Sequence, residues 1–212
     1  MTAKGDLRVY LTLESLQPQF AAYLGTPTRA RGYPPFAGQH ALIIEVAPGL
    51  MIERVIDLAL KADPDLEPGI LFVERQFGIL EIHGHDKAKL LQAGQAMLEG
   101  LGLAGGEPLA PKILYTDVIE DIADQHAVII NRNRQASMVL PGETLLIVEM
   151  VPALYAAIAA NEAEKAAPDL TLVDVQMIGA AGRLYMSGKT ADVRTGLAEI
   201  ERVLASIKGR TG

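Results

Sequence analysis

The order of apolar and polar positions divides the chain into strands and helices before any other property is considered. Residues 7–13 read as a strand, and 17–24 have the spacing of a short helix with Pro18 in its first turn, where a missing N–H is harmless. The run TPTRARGYPPFAG at 26–38 has neither period and reads as a loop. A buried strand at 40–46 follows. Pro48 and Gly49 then open an amphipathic helix in which Met51, Val55, Leu58, Ala59 and Ala62 recur at helical spacing, until Pro64 closes it. The stretch from Gly69 to Gly84, GILFVERQFGILEIHG, reads as two short apolar strands around a charged turn. Residues 86–101 form another helix, with Asp86 as N-cap and Gly102 as its stop, and LAGGEPLAP beyond it reads as a linker.

Past the linker the pattern starts again. A strand at 112–119, a helix at 124–131, a polar loop at 133–142, a strand at 144–151, a helix at 153–167, a hairpin at 169–188 and a helix at 191–207 repeat the first half. The pairs Gly38 and Gly142, Glu45 and Glu149, Pro48 and Pro152, Lys61 and Lys165, Pro64 and Pro168, Asp65 and Asp169, Gly78 and Gly182, and Gly84 and Gly188 are each 104 positions apart. Chance does not produce that series. Gln19 and Gln125 differ by 106, so an indel of two residues lies before Gly38, a change a loop absorbs easily. The chain therefore divides at 1–106 and 107–212 into two units of β-α-β-α-β-β-α order, an α/β pattern with hairpins. Alanine is dense in the helix at 153–167, and small residues on more than one face predict packing on both sides.

Composition narrows the function classes. Half of the 212 residues are hydrophobic, enough for a substantial core, and the formal charge of −7 with scattered Lys and Arg argues against a nucleic-acid partner. Cysteine is absent, which excludes disulfides, a thiolate nucleophile and thiolate metal sites. The N-terminal MTAKGDLRVY has no apolar signal core, and no apolar run reaches membrane-spanning length, so the expectation is a cytoplasmic protein without a membrane partner.

Candidate chemistry is sparse. Glu74 and Arg75 stand at the tip of the first hairpin, followed by Gln76, Phe77 and Gly78, and a charged tip is ordinarily just solvated. The repeat makes this one unusual, because Ile178 and Gly179 occupy the same places in the second hairpin. Arg132 and Arg134, in INRNR, suit a phosphorylated metabolite or an interchain salt bridge. His83 and His85 can share one strand face, but two histidines without a third ligand do not make a metal site. No nucleophile with a base and no phosphate-binding glycine loop is present, so neither catalytic residues nor a cofactor is expected.

The stretch LLIVEMVPALYAAIAANEAEKAAPDLTLVDVQMIGAAGRLYMSG at 145–188 resembles a bacterial microcompartment shell domain. The resemblance rests on a strand ending near Glu149, a helix ending Lys165-Ala166-Ala167, and a small-residue loop, Gly179-Ala180-Ala181-Gly182, like the family's Gly-Ser-Gly-like pore loop. Lys61 and Lys165 look like the family's tile-edge lysine, although Asp63 replaces the second alanine of that motif in the first half. The strand and short helix that would close the simple shell domain here precede each unit, so the order looks circularly permuted. Together with LQPQFAAYLGT, FVERQFG and INRNR, this is similar to the permuted tandem shell proteins of carboxysomes, and the resemblance covers nearly the whole chain.

It implies two tandem, permuted, ferredoxin-like domains (α+β) in a trimer shaped like the single-domain hexamers, tiling with those hexamers in a shell. It further implies stacking of two trimers, with pore residues Glu74, Arg75, Gln76, Phe77 and Gly78 from one half and Ile178, Gly179, Ala180, Ala181 and Gly182 from the other. At a threefold axis, tips turned inward with Glu–Arg pairing would occlude a passage, and Arg75 swung away would open it to metabolites such as sugar phosphates. The rival reading is a soluble trimeric ligand-binding or sensor protein with an arginine anion site. An enzyme has only Glu74 and Arg75 to offer.

Overall fold

The fold, seen in a computed structural model that describes residues 5–26 and 32–212, consists of two compact units. Residues 1–110 with the tail 208–212 form the first, and 111–207 form the second. Part of the loop expected at 26–38, residues 27–31, lies outside the described residues.

In the first unit, β1 (Asp6–Leu13), β2 (His40–Ala47), β3 (Glu67–Glu74) and β4 (Phe77–Gly84) make an antiparallel sheet in the order β1-β2-β4-β3. Helix α1 (Pro18–Leu24) follows β1, α2 (Ile52–Ala62) follows β2 after a 3₁₀ turn at Gly49–Met51, and α3 (Lys87–Gly100) follows β4. Asp86 caps α3 by accepting from the N–H groups of Ala88 and Lys89, and Gly102, just past the helix, takes the left-handed φ of +66°. The apolar run of β2 arises because both faces of the sheet are covered there. Leu42, Ile44 and Val46 pack with Leu80 and Ile82 of β4 against Val55 and Ala59 of α2 and Leu90, Ala93 and Met97 of α3. The alternate residues Ala41, Ile43 and Glu45 on β2, with Ile79, Glu81 and His83 on β4, are buried on the opposite face.

The second unit repeats this plan with β5 (Lys112–Ile119), α4 (Asp124–Asn133), β6 (Thr144–Val151), α5 (Tyr155–Ala166), β7 (Thr171–Gln176), β8 (Gly182–Gly188) and α6 (Thr190–Ser206). Its sheet order is β5-β6-β8-β7. Two helix boundaries differ from the sequence pattern by more than one residue. Helix α4 runs two residues further, and α5 starts at Tyr155 because the chain before it makes a tighter turn, with the N–H groups of Tyr155 and Ala156 bonding the carbonyls of Pro152 and Ala153 three residues back. The alanines of α5 act as expected. One side meets α6 and the other meets β7 and β8, and most of the helix is buried.

The repeated residues have structural work. Ala47–Pro48 and Val151–Pro152 are both cis, and Gly38 and Gly142 both hold positive φ before their strands. Gly78 and Gly182 each lie where a strand presses on the turn that follows β2 or β6. A Cβ on Gly78 would stand 2.1 Å from the Gly49 carbonyl oxygen, and one on Gly182 would stand 2.2 Å from that of Ala153.

Candidate functional site

The two hairpins keep the same register and end differently. Residues Phe72 and Ile79 pair in the first, as Gln176 and Arg183 do 104 positions later in the second, and each edge strand carries a bulge at the same place, Pro68/Ile70 and Leu172/Asp174. In the first hairpin, pairing continues to the rung Glu74–Phe77, so Arg75 and Gln76 alone make the turn. In the second, pairing stops at Gln176, and residues 177–181 form an open loop. This loop has Gly179, at φ +131°, Ala180 and Ala181 at the positions that Arg75, Gln76 and Phe77 hold in its twin.

Arg75 has φ +52°, a left-handed conformation that costs a residue with a Cβ about 1 kcal/mol. Its side chain is 90% exposed, and its Nε lies 3.6 Å from Glu74 Oε1, a loose pair open to water. Glu74 and Arg75 thus neutralise each other on one tip. A cleft of about 680 Å³ flanks this tip, lined by Asp6, Leu50, Val73, Arg75 and Gln76 among others, with Leu50 projecting into solvent.

The base of this tip holds a group that sequence reasoning missed. Arg8 donates from Nε to Glu45 Oε1 at 2.7 Å, and its guanidinium carbon lies 3.8 Å from the centre of the Phe77 ring. Burial pushes the Glu45 carboxyl up and the Arg8 hydrogen bond and charge pull it back. In the second unit Glu149 is matched instead by Arg183 on β8, at 2.9 Å.

The other candidates fall in separate places. Arg134 lines a cavity of about 350 Å³ with Ile129, Ile130, Asn133, Asp174, Gln176 and Tyr185, while Arg132 is exposed in the last turn of α4 and does not line it. The two arginines therefore do not converge on one anion. Asn131 of the same phrase staples the following loop, bonding both the N–H and the carbonyl of Val139. Lys61 and Lys165 end α2 and α5 on ion pairs with Asp57 and Glu162 at 2.6 and 2.8 Å. Asp63, where the second half has Ala167, faces Lys89 at 3.4 Å, so the two edges differ in charge. His83 and His85 do not share a face. His83 is buried against Glu81, and His85 is exposed because β4 ends at Gly84. Among the described residues no cluster of three or more metal-binding side chains occurs, and no helix is long and apolar enough to cross a membrane.

Two copies of a four-stranded sheet with three helices, each with a strand and short helix placed ahead of the rest and a differing hairpin tip, define a permuted tandem shell-domain protein. The comparisons with known proteins agree. Residues 7–107 match the family described as the CsoS1D N-terminal domain. The chain is 41% identical over 205 residues to the carboxysome shell protein CcmP of Synechococcus elongatus, covering 97% of this chain and 94% of that relative. It is 43% identical over 189 residues to the carboxysome shell protein CsoS1D of Hydrogenovibrio crunogenus, covering 89% and 90%.

Among solved structures, it matches the double-ringed trimeric shell protein MSM0271 of the RMM microcompartment with TM-score 0.94 and 59% identity, covering 98% of this chain and all of that one. The fused permuted hexameric shell protein MSM0275 of the same microcompartment matches with TM-score 0.90 and 48% identity, covering 97% of this chain and all of that one. The chain belongs to the permuted, tandem-domain bacterial microcompartment shell proteins that include CcmP and CsoS1D. It is a structural component of a microcompartment shell, and these relatives are named as shell proteins, not as enzymes.

Proposed function

We propose that the chain, with shell domains at 1–106 and 107–212, assembles as a pseudohexameric trimer whose axial pore is gated by the Glu74–Arg75 tips. The carrying observation is the contrast between the hairpins: one tip is charged, exposed and held at a left-handed arginine, and its twin is an open, uncharged loop. Three charged tips around an axis would pair acid with base and block it, and relaxation of Arg75 to negative φ would return about 1 kcal/mol toward opening. The passage would admit small metabolites such as sugar phosphates by diffusion. The name of MSM0271, trimeric and double-ringed, supports both the trimer and the stacking of two trimers. The test is permeation of a small phosphorylated solute through assembled protein, with structures of Glu74→Ala and Arg75→Ala. Both substitutions are expected to raise the open population and the flux several-fold; unchanged tips and flux in both would refute the gate.

Tiling with single-domain hexamers is assigned to the edges that carry Lys61 and Lys165. Alanine at both positions is expected to abolish two-dimensional sheets formed with partner hexamers, seen by electron microscopy, while leaving the trimer intact by light scattering. Sheets that persist would remove the lysines from the contact. The compartment itself has two readings. CcmP and CsoS1D support a carboxysome, whereas the higher identity of 59% to MSM0271 favours a compartment of the RMM kind. Isolating native shells and asking whether rubisco co-purifies separates them. As for the anion site, Arg134 alone lines the second unit's cavity with Asp174 beside it, which weakens the ligand-binding reading.

A further inference from the structure

We propose that Arg8 is the positioning residue of the first unit's tip: it clamps the base of the β3–β4 hairpin by bonding Glu45 and covering the Phe77 ring, so that only the Arg75–Gln76 turn remains free to change. The proposal rests on the reading of that hairpin as a pore element, and it concerns what limits the element's motion.

Arg8 owes its position to a β-bulge. The register between β1 and β2 passes from Leu7 opposite Val46 to Val9 opposite Glu45, which leaves Arg8 as the extra residue. An extra residue breaks the in-out alternation and re-aims its side chain. Here it reaches both Glu45, which is nearly inaccessible to water, and the face of Phe77. Phe77 closes the last rung of the hairpin, opposite Glu74, so the guanidinium holds the rung from which the turn springs. A cation over a ring and a charge-assisted bond to a buried carboxylate act together on one group.

The second unit has the same bulge and none of the clamp. Its register passes from Ile113 to Tyr115, leaving Leu114 as the extra residue, and Leu114 is 47% exposed. Ala181 stands where Phe77 stands, so there is no ring to cover. Glu149 takes its guanidinium from Arg183, which also bonds Gln176 at 3.2 Å and so ties the strand ends below the open loop. Charged tip, aromatic base and bulge arginine occur together in one unit and are absent together from the other. The bulge is common to the two units and the residue on it is not.

The chain has no cysteine, so Gln76→Cys creates a single site for a nitroxide label, and Ala180→Cys creates the matching site on the other tip. The labels are read by electron paramagnetic resonance in full-length assembled protein, labelled sparsely so that neighbouring labels do not broaden one another. Arg8→Met is expected to raise the mobile-to-immobile ratio at position 76 about fivefold, and Arg8→Lys to recover part of it. Phe77→Leu, which leaves the Arg8–Glu45 bond intact, is expected to give a similar increase and guards against a folding defect in Arg8→Met. The label at position 180 is expected to be unchanged in all three. Unchanged spectra at 76 in both Arg8→Met and Phe77→Leu would overturn the clamp, as would equal loosening at 180, which would mark a general loss of structure. Flux through Glu74→Ala and Arg75→Ala, measured in parallel, decides the gate separately: unchanged flux ends the gate while the label spectra still decide the clamp.

Discussion

Replacing His83 with leucine is expected to destabilise the first unit by about 1–3 kcal/mol at pH 8.5, the cost of leaving the buried Glu81 carboxyl without its hydrogen-bond partner. Glu81 and His83 have no water-accessible side-chain surface, and His83 Nδ1 lies 3.0 Å from Glu81 Oε1. Glu81 Oε2 and His83 Nε2 have no hydrogen-bond partner, and Glu67 Oε2 lies 3.6 Å from Nε2. Burial pushes the Glu81 carboxyl above its ordinary 4.5, and His83 and the Gly69 backbone pull it back. An acid raised in the folded state favours folding most when protonated, so its contribution is present in full below 4.5 and is lost as pH rises through the folded value. Removing His83 takes away the strongest lowering influence. The variant should therefore fall further behind the parent between pH 5 and 8.5, and Glu81→Gln added to His83→Leu should remove that dependence. Urea unfolding at both pH values checks this, and a loss independent of pH would show that His83 does not hold Glu81. Tyr185 and Ser187 occupy these positions in the second unit, so its unfolding should not respond.

Alanine at Gly78 or at Gly182 is expected to cost about 2–3 kcal/mol each, because the new methyl would press on backbone that cannot swing aside. At Gly78 the Cβ would lie 2.1 Å from the Gly49 carbonyl oxygen and 2.6 Å from Ile52 Cβ, and at Gly182 all three nearest atoms belong to the backbone of Ala153. The two sites are in different units, so the losses should add in the double variant. Gly179, whose Cβ would meet nothing within 4 Å, is the control for crowding: alanine there meets only the strain of φ +131°. Denaturant unfolding of the three variants measures the difference, and a cost below about 0.5 kcal/mol at Gly78 and Gly182 would show that the turns yield.

Much of this was legible in the chain because the repeat compares the protein with itself. The strand at 144–151 has the limits its apolar run predicts, and the charged tip stood out only because its twin lacks charge. Arg132 and Arg134 were legible as types but not as a pair, because their spacing does not say that helix α4 ends between them, leaving Arg132 in its last turn and Arg134 on the extended residue that follows. His83 and His85 show the same limit, since alternation holds only while the strand lasts, and it ends between them.

The order of apolar positions, the constant offset of 104 and the glycines and prolines that recur with it were enough for two repeated units of strands, hairpins and helices, because periodicity, turn chemistry and duplication are local or self-referential properties; the family came from the resemblance of particular phrases such as FVERQFG and INRNR. The clamp at Arg8, the buried Glu81–His83 pair and the glycine contacts were decided only by the tertiary structure. Each depends on a register: a bulge that moves one side chain out of alternation, two covered sheet faces where one would have left the acid in water, and a turn pressed onto a strand. Those registers follow from how distant strands pair, which no stretch of sequence states alone.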